Sequence, residues 1–279
     1  MELLTTVAAI RERVTAWKKA GERIAVVPTM GYLHDGHLSL MRIARQNADR
    51  VVTTIFVNPT QFGPTEDLDK YPRDLEHDRR LCEEVGVDAI FHPSPAEMYA
   101  PDFSTWVSED SLSQTLCCAF RPIHFRGVCT VCLKLFNITM ADVAVFGRKD
   151  AQQALVIERM VRDLNVPIKI IQAPLVREED GLARSSRNKY LSAEERTRAL
   201  ALSRGLRSAQ AKFDAGERDA QALKDAVLQE LLPAADSIDY VDVMSRATLR
   251  PIGTIDQPAL LAIAAYIGKT RLIDNLFLD

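Results

Sequence analysis

The first two thirds of the chain alternate short apolar, β-branched runs with amphipathic helical patterns. The clearest strand is the run 50–57, which is apolar or β-branched almost throughout, as a parallel strand buried on both faces should be. Similar runs occur at 24–28, 88–92, 141–146 and 166–173, and helical patterns separate them at 38–48, 73–85, 125–138 and 151–163. This βαβα rhythm predicts an open, doubly wound parallel sheet with helices on both faces.

The pattern changes after Gly181. Two charged, alanine-rich helical segments at 193–214 and 219–232 are followed by three β-like runs at 238–244, 259–266 and 271–277. Helices followed by strands are typical of a small α+β domain. We therefore predict two domains, residues 1–180 and residues 181–279. The first 20 residues show helical spacing of apolar side chains and are predicted to form an amphipathic helix.

Composition excludes several classes of function. The net charge of the 279 residues is −3, so we expect no general attraction to nucleic acid or to an anionic membrane. No apolar run reaches the ~20 residues that a membrane-spanning helix needs. The N-terminus lacks the apolar centre of a signal peptide, and a cytoplasmic location is therefore expected.

The cysteines are read as reduced, buried thiols. There are five of them, an odd number, and four lie in apolar segments. Cys129 and Cys132 have a C-x-x-C spacing that zinc or redox sites use. Only Cys117 and Cys118 are close enough in sequence to complete a set of ligands, and adjacent cysteines chelate poorly. We predict no metal site here.

The stretch P-T-M-G-Y-L-H-D-G-H, residues 28–37, carries the chemistry. It follows the first predicted strand and opens a helix, the place where open α/β sheets bind ligands. Helix N-terminal N–H groups and the helix dipole favour an anion there. His34 and His37 have the spacing of one helix face and can donate to phosphate oxygens. Gly31 and Gly36 let the backbone approach a ligand closely.

This stretch also carries a resemblance. H-x-G-H after a first strand resembles the signature of the nucleotidyltransferase superfamily, whose sheet is Rossmann-like. The longer P-T-M-G-x-L-H-x-G-H resembles the pantothenate synthetase family in particular. Segments similar to that family continue in order through the chain, at 56–62, 71–74, 121–128, 134–137, 146–150, 152–153, 177–183, 185–188 and 270–275.

The resemblance implies a two-step ligase reaction. The carboxylate of pantoate attacks the α-phosphorus of ATP to give pantoyl adenylate and pyrophosphate, and the amine of β-alanine then displaces AMP. No protein nucleophile is needed, so positioning and charge stabilisation are expected to dominate. His34 and His37 would contact the phosphates, with His37 as proton donor, and Lys149 would stabilise charge on the α-phosphate.

The resemblance also implies the binding residues. Those expected to contact ATP are Met30, Gly31, Tyr32, Leu33, His34, Asp35, Gly36, His37, Gly147, Arg148, Lys149, Asp150, Val176, Arg184, Ser185, Ser186 and Arg187. Gln61 and Gln153 are amides that suit the hydroxyls and carboxylate of pantoate, with Asn58 as a companion, and Gln61 would also lie near β-alanine. Mg²⁺ would be held largely by ATP oxygens and water. A homodimer is implied, with the run 50–57 and the segment after Leu112 as candidate surfaces.

Five positions depart from the family's pattern. Ile123 stands where the family usually has glycine, Arg148 where it has glutamate, and Arg184 where it has methionine or leucine. Met140 and Ala141 replace Gln-Pro. Ile123 adds bulk, and the two arginines add positive charge beside the expected nucleotide site. None of these changes removes a residue that is assigned to catalysis.

Other interpretations stay open at this point. Another adenylyl or cytidylyl transferase of the superfamily would keep H-x-G-H without needing Gln61 and Gln153 together with the segment 121–125. A catalytically weak nucleotide-binding or scaffold protein is suggested by the departures alone. Locally, Lys149 can be a solvated lysine, and Ser185 with Ser186 can be a helix-capping pair.

Overall fold

The apolar runs of the first two thirds pair as six parallel strands. The structure is a computed structural model that describes residues 1–64, 66, 68–119 and 121–279, with only the backbone of residues 118 and 119. The strand order is β1-β4-β3-β2-β5-β6, and every neighbouring pair is parallel. The strands are β1 (Glu2–Leu4), β2 (Ile24–Thr29), β3 (Arg50–Ile55), β4 (Ala89–Phe91), β5 (Val143–Gly147) and β6 (Lys169–Ala173). The predicted parallel α/β sheet is confirmed.

Both faces of this sheet are covered. The helices are α1 (Val7–Lys19), α2 (Asp35–Asn47), α3 (Leu75–Glu84), α4 (Pro95–Met98), α5 (His124–Thr139) and α6 (Ala151–Asp163). Residues 24–27 of β2 have no exposed surface, although successive side chains of a strand point to opposite faces. On one face, Ala25 and Val27 pack with Met41 of α2 and Cys82 of α3. Helices α1 and α5 also contact β2, which accounts for the burial of the other face.

The N-terminus corrects one prediction. Residues 1–20 do not form a single helix, because Glu2–Leu4 is a strand that pairs in parallel with Ala89–Phe91. Thr6 then caps α1, and its side chain accepts a hydrogen bond from the backbone N–H of Ala9. The helical spacing of apolar residues holds only from Val7 onward, where Ile10 and Val14 are buried.

The last hundred residues have their own core. Contacts divide the chain into two compact units, residues 1–148 with 152–174, and residues 149–151 with 175–279. The second unit contains α7 (Ala193–Asp214), α8 (Ala220–Leu231), β7 (Ser237–Ser245), β8 (Ala259–Ile267) and β9 (Thr270–Leu278). Its three strands form an antiparallel sheet in the order β7-β8-β9, and both helices share a buried apolar cluster with it. The predicted small α+β fold is confirmed, and the predicted boundary at residue 180 stays a prediction.

Several predicted features fall in the interior of the first unit. Cys82, Cys129 and Cys132 are buried free thiols, and burial raises the pKa of Cys82 and of Cys129 to about 12. The side chain of Cys118 lies outside the described residues. The run 51–56 is buried in the sheet, so core packing rather than an exposed surface explains its apolar character. No helix in the described part of the chain is long and apolar enough to cross a membrane.

Candidate active site

The loop after β2 brings His34 and His37 together at the start of α2. His34 is the N-cap residue, with extended backbone at φ −151° and ψ 174°, so it precedes the helix rather than sharing a helical face with His37 as predicted. The Nδ1 atom of His34 accepts a hydrogen bond from Gly36 N at 3.2 Å, and Nδ1 of His37 accepts one from His34 N at 3.3 Å. The ring centroids are 4.1 Å apart. The pair therefore lies at a helix N-terminus that favours anions.

These capping bonds select one tautomer of each ring. A ring nitrogen that accepts a backbone N–H carries no hydrogen itself. A neutral imidazole in this arrangement therefore carries its hydrogen on Nε2. His34 and His37 each present an Nε2–H donor beside the N-terminus of α2, and N–H donors are the groups that bind phosphate oxygens.

The turn before His34 depends on a buried carboxylate. Gly31 has φ 84° and Tyr32 has φ 53°, both in the left-handed region. Asp78 of α3 accepts the backbone N–H groups of Tyr32, at 2.9 Å, and of Leu33, at 2.7 Å. A Cβ atom on Gly31 would lie 2.9 Å from Asp78 Oδ2, so only glycine fits there without a shift. Asp78 thus sets the path of the chain into His34.

Asp78 is a site residue that the sequence analysis missed. Its side chain is 1% exposed, and burial raises its pKa above the ordinary aspartate value while the amides of Tyr32 and Leu33 oppose that rise. A sequence signal does exist. In α3, Asp78 shares the i, i+3, i+7 face of Leu75 and Cys82, where an apolar residue is expected.

The amide of Gln61 is oriented by neighbours on both sides. Gln61 is 7% exposed and lies in a 3₁₀ turn, Pro59–Gln61, after β3. Its Oε1 accepts from Asn58 Nδ2 at 3.0 Å, and its Nε2 lies 3.3 Å from Met30 Sδ. The structure therefore brings together three predicted residues, Gln61, Asn58 and Met30.

The N-terminal end of α5 clamps the backbone of this turn. The carbonyl oxygen of Gln61 accepts from His124 Nδ1 at 3.0 Å and from Arg121 Nη2 at 3.3 Å. A Cβ atom on Gly127 would lie 2.5 Å from Thr60 O, so this close approach requires glycine. The segment 121–127, similar to the family as a whole, positions Gln61 through these contacts.

The departures at the two ends of α5 differ in their consequences. Ile123 has φ −94° and ψ −9°, an ordinary right-handed conformation, and glycine's extra freedom is not needed there. Met140 ends the helix at φ 49° and ψ 34°, a left-handed conformation that glycine adopts readily and that L residues other than asparagine and aspartate rarely adopt. Ile123 is therefore compatible with the fold, and Met140 carries the strain.

The carboxyl ends of β2 and β5 define the ligand-binding edge of the sheet. These strands are neighbours, but the chain continues from β2 to β3 on one side and from β5 to β6 on the other. Such a switch point is where open α/β sheets bind ligands. The stretch 30–37 follows β2 at this point, and Gly147 and Arg148 stand at the end of β5.

The two glutamines at the start of α6 have different environments. Gln152 is 8% exposed, and its Nε2 donates to the carbonyl oxygens of Leu112 and Thr115 at 3.0 and 2.7 Å. Its Oε1 accepts from the backbone N–H of Cys117 at 3.1 Å. Gln152 therefore anchors the segment 112–117. Gln153, the predicted pantoate ligand, is half-buried beside it.

Lys149 belongs to the second unit. It lies in a 3₁₀ turn, Arg148–Asp150, and its side chain is 22% exposed. Its ammonium Nζ is 3.5 Å from Asp150 Oδ1. Lys149 is therefore not the fully solvated lysine of the alternative interpretation.

A hairpin in the second unit leads into the serine loop. The backbone N–H of Arg184 donates to Val176 O at 3.0 Å, and Arg177 pairs with Ala183 in an antiparallel bridge. Ser185 follows as the N-cap of a 3₁₀ helix, Ser186–Tyr190, and its Oγ accepts from Arg187 N at 3.2 Å. The capping interpretation is therefore correct for Ser185, which lies at the start of that helix.

Glu178 organises the charges around this loop. Its carboxylate accepts from Asn188 Nδ2 at 2.7 Å and from Arg196 Nη2 at 2.6 Å, and it lies 3.5 Å from Arg184 Nη1. Burial would raise the pKa of Glu178, but the hydrogen bonds from Asn188 and Arg196 and the nearby arginine charges lower it below the ordinary glutamate value. The positive charge that Arg184 adds is therefore partly balanced by Glu178.

The predicted residues fall into two sets. The first unit holds Met30, Gly31, Tyr32, Leu33, His34, Asp35, Gly36, His37, Gln61, Gly147, Arg148 and Gln153. The second unit holds Lys149, Asp150, Val176, Arg184, Ser185, Ser186 and Arg187.

Comparison with known proteins points to one family. The family model described as pantoate-beta-alanine ligase matches residues 2–277. The chain is 56% identical over 280 residues to a pantothenate synthetase of Pelotomaculum thermopropionicum, covering 100% of this chain and 99% of that protein. It is 53% identical over 279 residues to that of Thermotoga neapolitana, covering 100% of each.

Solved structures of the same family are similar to this chain over nearly its whole length. A pantothenate synthetase from Thermus thermophilus is similar, with a TM-score of 0.94 at 43% identity over 99% of each chain. A pantoate-beta-alanine ligase from Francisella tularensis, complexed with beta-gamma ATP and beta-alanine, has a TM-score of 0.80 at 30% identity, covering 99% of this chain and 97% of that one.

Proposed function

The chain belongs to the pantoate–β-alanine ligase family, and we infer that it condenses pantoate with β-alanine to pantothenate in an ATP-dependent reaction that releases AMP and pyrophosphate. The observation that carries this proposal is the pair His34 and His37 at the N-terminus of α2, with both Nδ1 atoms used in capping. The match over the whole chain supports it.

In the first step, the pantoate carboxylate attacks the α-phosphorus of ATP, and the bond to pyrophosphate breaks. The Nε2–H groups of His34 and His37 would donate to phosphate oxygens as negative charge grows there, with His37 as the proton donor. Lys149 would hold charge on the α-phosphate. Arg187 and the hydroxyls of Ser185 and Ser186 would bind the triphosphate.

The remaining predicted nucleotide contacts follow the same logic. The nucleotide would also contact backbone groups before and at the start of α2 and in two other segments: Met30, Gly31, Tyr32, Leu33, Asp35, Gly36, Gly147, Arg148 and Val176. Asp150 would accept hydrogen bonds from ribose hydroxyls. Arg148 adds a positive charge that suits a phosphate, whereas the ion pair of Arg184 with Glu178 leaves less of its charge for a ligand.

In the second step, the β-alanine amine attacks the acyl carbon, and AMP leaves. Gln61 and Gln153 would orient pantoate through its hydroxyls, and Gln61 would also lie near β-alanine. An oriented pair of reactants accounts for most of the expected rate enhancement, since no protein nucleophile takes part. The contacts of Gln61 support this role. Asn58 and Met30 hold its side-chain amide in one orientation, and His124 and Arg121 hold its backbone carbonyl oxygen.

We also propose that the enzyme requires Mg²⁺, forms a homodimer and is located in the cytoplasm. Mg²⁺ commonly keeps several waters and binds through substrate phosphates, so it would enter with ATP. Among the described residues, no group of three or more His, Cys, Asp or Glu side chains is arranged to hold a metal ion. Light scattering of the purified protein tests the dimer.

The direct test is a four-component assay. The purified protein is incubated with ATP, Mg²⁺, pantoate and β-alanine, and AMP, pyrophosphate and pantothenate are measured. We expect all three in equal amounts, and no turnover when pantoate is omitted. AMP formation that ignores both acids would contradict the ligase function, and transfer of the nucleotide to another acceptor would favour a different transferase of the superfamily.

His37→Asn is the matched variant for this assay. Its side-chain oxygen can accept from His34 N as Nδ1 does, but it has no group in place of Nε2. We expect the rate of pyrophosphate release to fall by about 10²–10³-fold, as when one transition-state donor is removed. Adenylate formation at the normal rate would exclude the proposed role of His37.

A further inference from the structure

Strand β9 begins with a segment that contains buried polar side chains. Residues 270–275, T-R-L-I-D-N, resemble the family and form the first part of β9 in the second unit. Asp274 and Asn275 are 2% and 8% exposed. Buried polar side chains need hydrogen-bond partners, and both of these have partners within the second unit.

Asn275 holds the backbone of Lys149. Its Nδ2 donates to the carbonyl oxygen of Lys149 at 2.9 Å, although the two residues are 126 positions apart. Lys149 follows β5 of the first unit in sequence but packs with the second unit. This hydrogen bond therefore ties the backbone of the proposed α-phosphate ligand to strand β9.

Asp274 holds the neighbouring hairpin in the same way. Its carboxylate accepts both terminal nitrogens of Arg177, at 2.7 and 3.1 Å, and the backbone N–H of Asn275 at 2.8 Å. Arg177 also donates to Gly181 O at 3.1 Å, which links the two sides of the hairpin that leads into Ser185. Adjacent residues of β9 thus hold two chain segments that carry proposed nucleotide ligands.

The two contacts differ in what their removal would do. Asp274 is 2% exposed and accepts two hydrogen bonds from the guanidinium of Arg177, whose side chain is 32% exposed. Hydrogen bonds to charged groups contribute more to stability than neutral ones. The hydrogen bond from Asn275 to the Lys149 carbonyl oxygen involves no charged group, and a neutral hydrogen bond contributes less to stability. Asn275 can therefore be changed while the fold is retained, and it separates a positioning role from a structural one.

We propose that Asn275 is a positioning residue for adenylate formation, acting through the backbone of Lys149. This role rests on the proposed function. A lysine whose Cα shifts delivers its ammonium to the wrong place at the α-phosphate, and misplacement of about 1 Å in an active site can slow a reaction about 10²-fold.

The test compares Asn275→Ala in two backgrounds. In the wild-type background, we expect kcat for pyrophosphate release to fall about 10–100-fold, with KM for ATP changed less than about three-fold, since misplacement affects the transition state most. In a Lys149→Ala background, the same change should cost less than about two-fold, because residues that act through one another are not additive.

Ser245→Ala is the matched control. Ser245 is 3% exposed at the end of β7, and its Oγ makes one side-chain hydrogen bond, to Gln257 at 3.1 Å. It tests loss of a partly buried hydrogen bond made by a residue of the same sheet, and we expect wild-type kcat. Amide hydrogen exchange at 149–151 should accelerate in Asn275→Ala and not in Ser245→Ala.

Three results would overturn the role of Asn275. These are an equal loss in both Lys149 backgrounds, an equal loss in Ser245→Ala, and unchanged exchange at 149–151. A wild-type protein that releases no pyrophosphate overturns the proposed function and this role with it, whereas an active wild type with additive losses overturns this role alone.

Discussion

The turn into α2 depends on a carboxylate from a distant part of the chain. Asp78 lies 46 positions after Tyr32, yet its two oxygens accept the backbone N–H groups of Tyr32 and Leu33. A neutral amide in its place has only one acceptor oxygen. Its NH₂ group would face the second N–H, and that buried backbone donor would lose its partner.

We therefore expect Asp78→Asn to lower the free energy of unfolding by about 1–3 kcal/mol, the usual effect of an unsatisfied buried group. Adenylate formation should fall as well, because the chain into His34 is no longer held. Urea denaturation and pyrophosphate release measure the two effects. Asp74→Asn is the control, since Asp74 caps the same helix and asparagine caps equally well. A variant Asp78→Asn as stable and active as Asp74→Asn would exclude this role.

The sequence predicted some of these residues and not others, for a physical reason. His34 and His37 follow a strand and open a helix, so the local pattern was enough to predict their place at the start of α2. Asp78 acts through two long-range hydrogen bonds that local sequence does not show. Charged residues of a helix are ordinarily exposed, so its burial was not expected. The partial balance of Arg184 by Glu178 is likewise a contact that only the folded chain reveals.

At the scale of elements, the strong patterns were the reliable ones. The predicted helix 125–138 is His124–Thr139 in the structure, and the predicted strand 259–266 is Ala259–Ile267. The strand Glu2–Leu4 was missed because three residues carry almost no periodic signal. Its pairing with β4 is what stabilises it, and pairing between distant segments is not visible locally.

The residue Asn165, just after α6, has a left-handed backbone conformation. Asn165 follows the helix at φ 51° and is exposed, so its side chain contributes little packing. Glycine adopts this conformation without strain, and we expect Asn165→Gly to raise the free energy of unfolding by about 0.5 kcal/mol. Alanine lacks both the freedom of glycine and the local hydrogen bonding of asparagine, so Asn165→Ala should lower it by roughly 1 kcal/mol.

The control is a glycine two positions earlier. Asp163 is the last residue of α6, and there glycine should destabilise by up to about 1 kcal/mol because helical backbone is entropically unfavourable for it. Thermal and urea unfolding of the three variants measure the differences. If both glycine variants destabilise the protein, the left-handed conformation of Asn165 is not what limits this helix end.

For the whole molecule, the sequence predicted the architecture of each unit but not how the chain is shared between them. Parallel strands buried on both faces appear as continuous apolar runs, and the antiparallel strands follow the helices in simple order. The assignment of 149–151 to the second unit could not be predicted from the sequence. The hydrogen bond from Asn275 to the Lys149 carbonyl oxygen joins residues that are 126 positions apart, and local sequence does not show such a contact.

That division bears on mechanism. The histidine pair and the Gln61 amide belong to the first unit, whereas Lys149 and the serine loop belong to the second. A reaction without a protein nucleophile relies on placed groups to orient the two substrates and to stabilise charge on the α-phosphate, and we propose that these residues supply them. We therefore propose that the pantoate carboxylate itself attacks this phosphorus.

Transfer of an oxygen atom from the pantoate carboxylate to AMP tests this attack. Pantoate labelled with ¹⁸O in both carboxylate oxygens is supplied with ATP, Mg²⁺ and β-alanine, and the products are analysed by mass spectrometry. If pantoyl adenylate is the intermediate, AMP carries one ¹⁸O from pantoate and the new amide carbonyl of pantothenate keeps the other. Unlabelled AMP, or label found in inorganic phosphate together with ADP, would exclude attack of the pantoate carboxylate on the α-phosphorus.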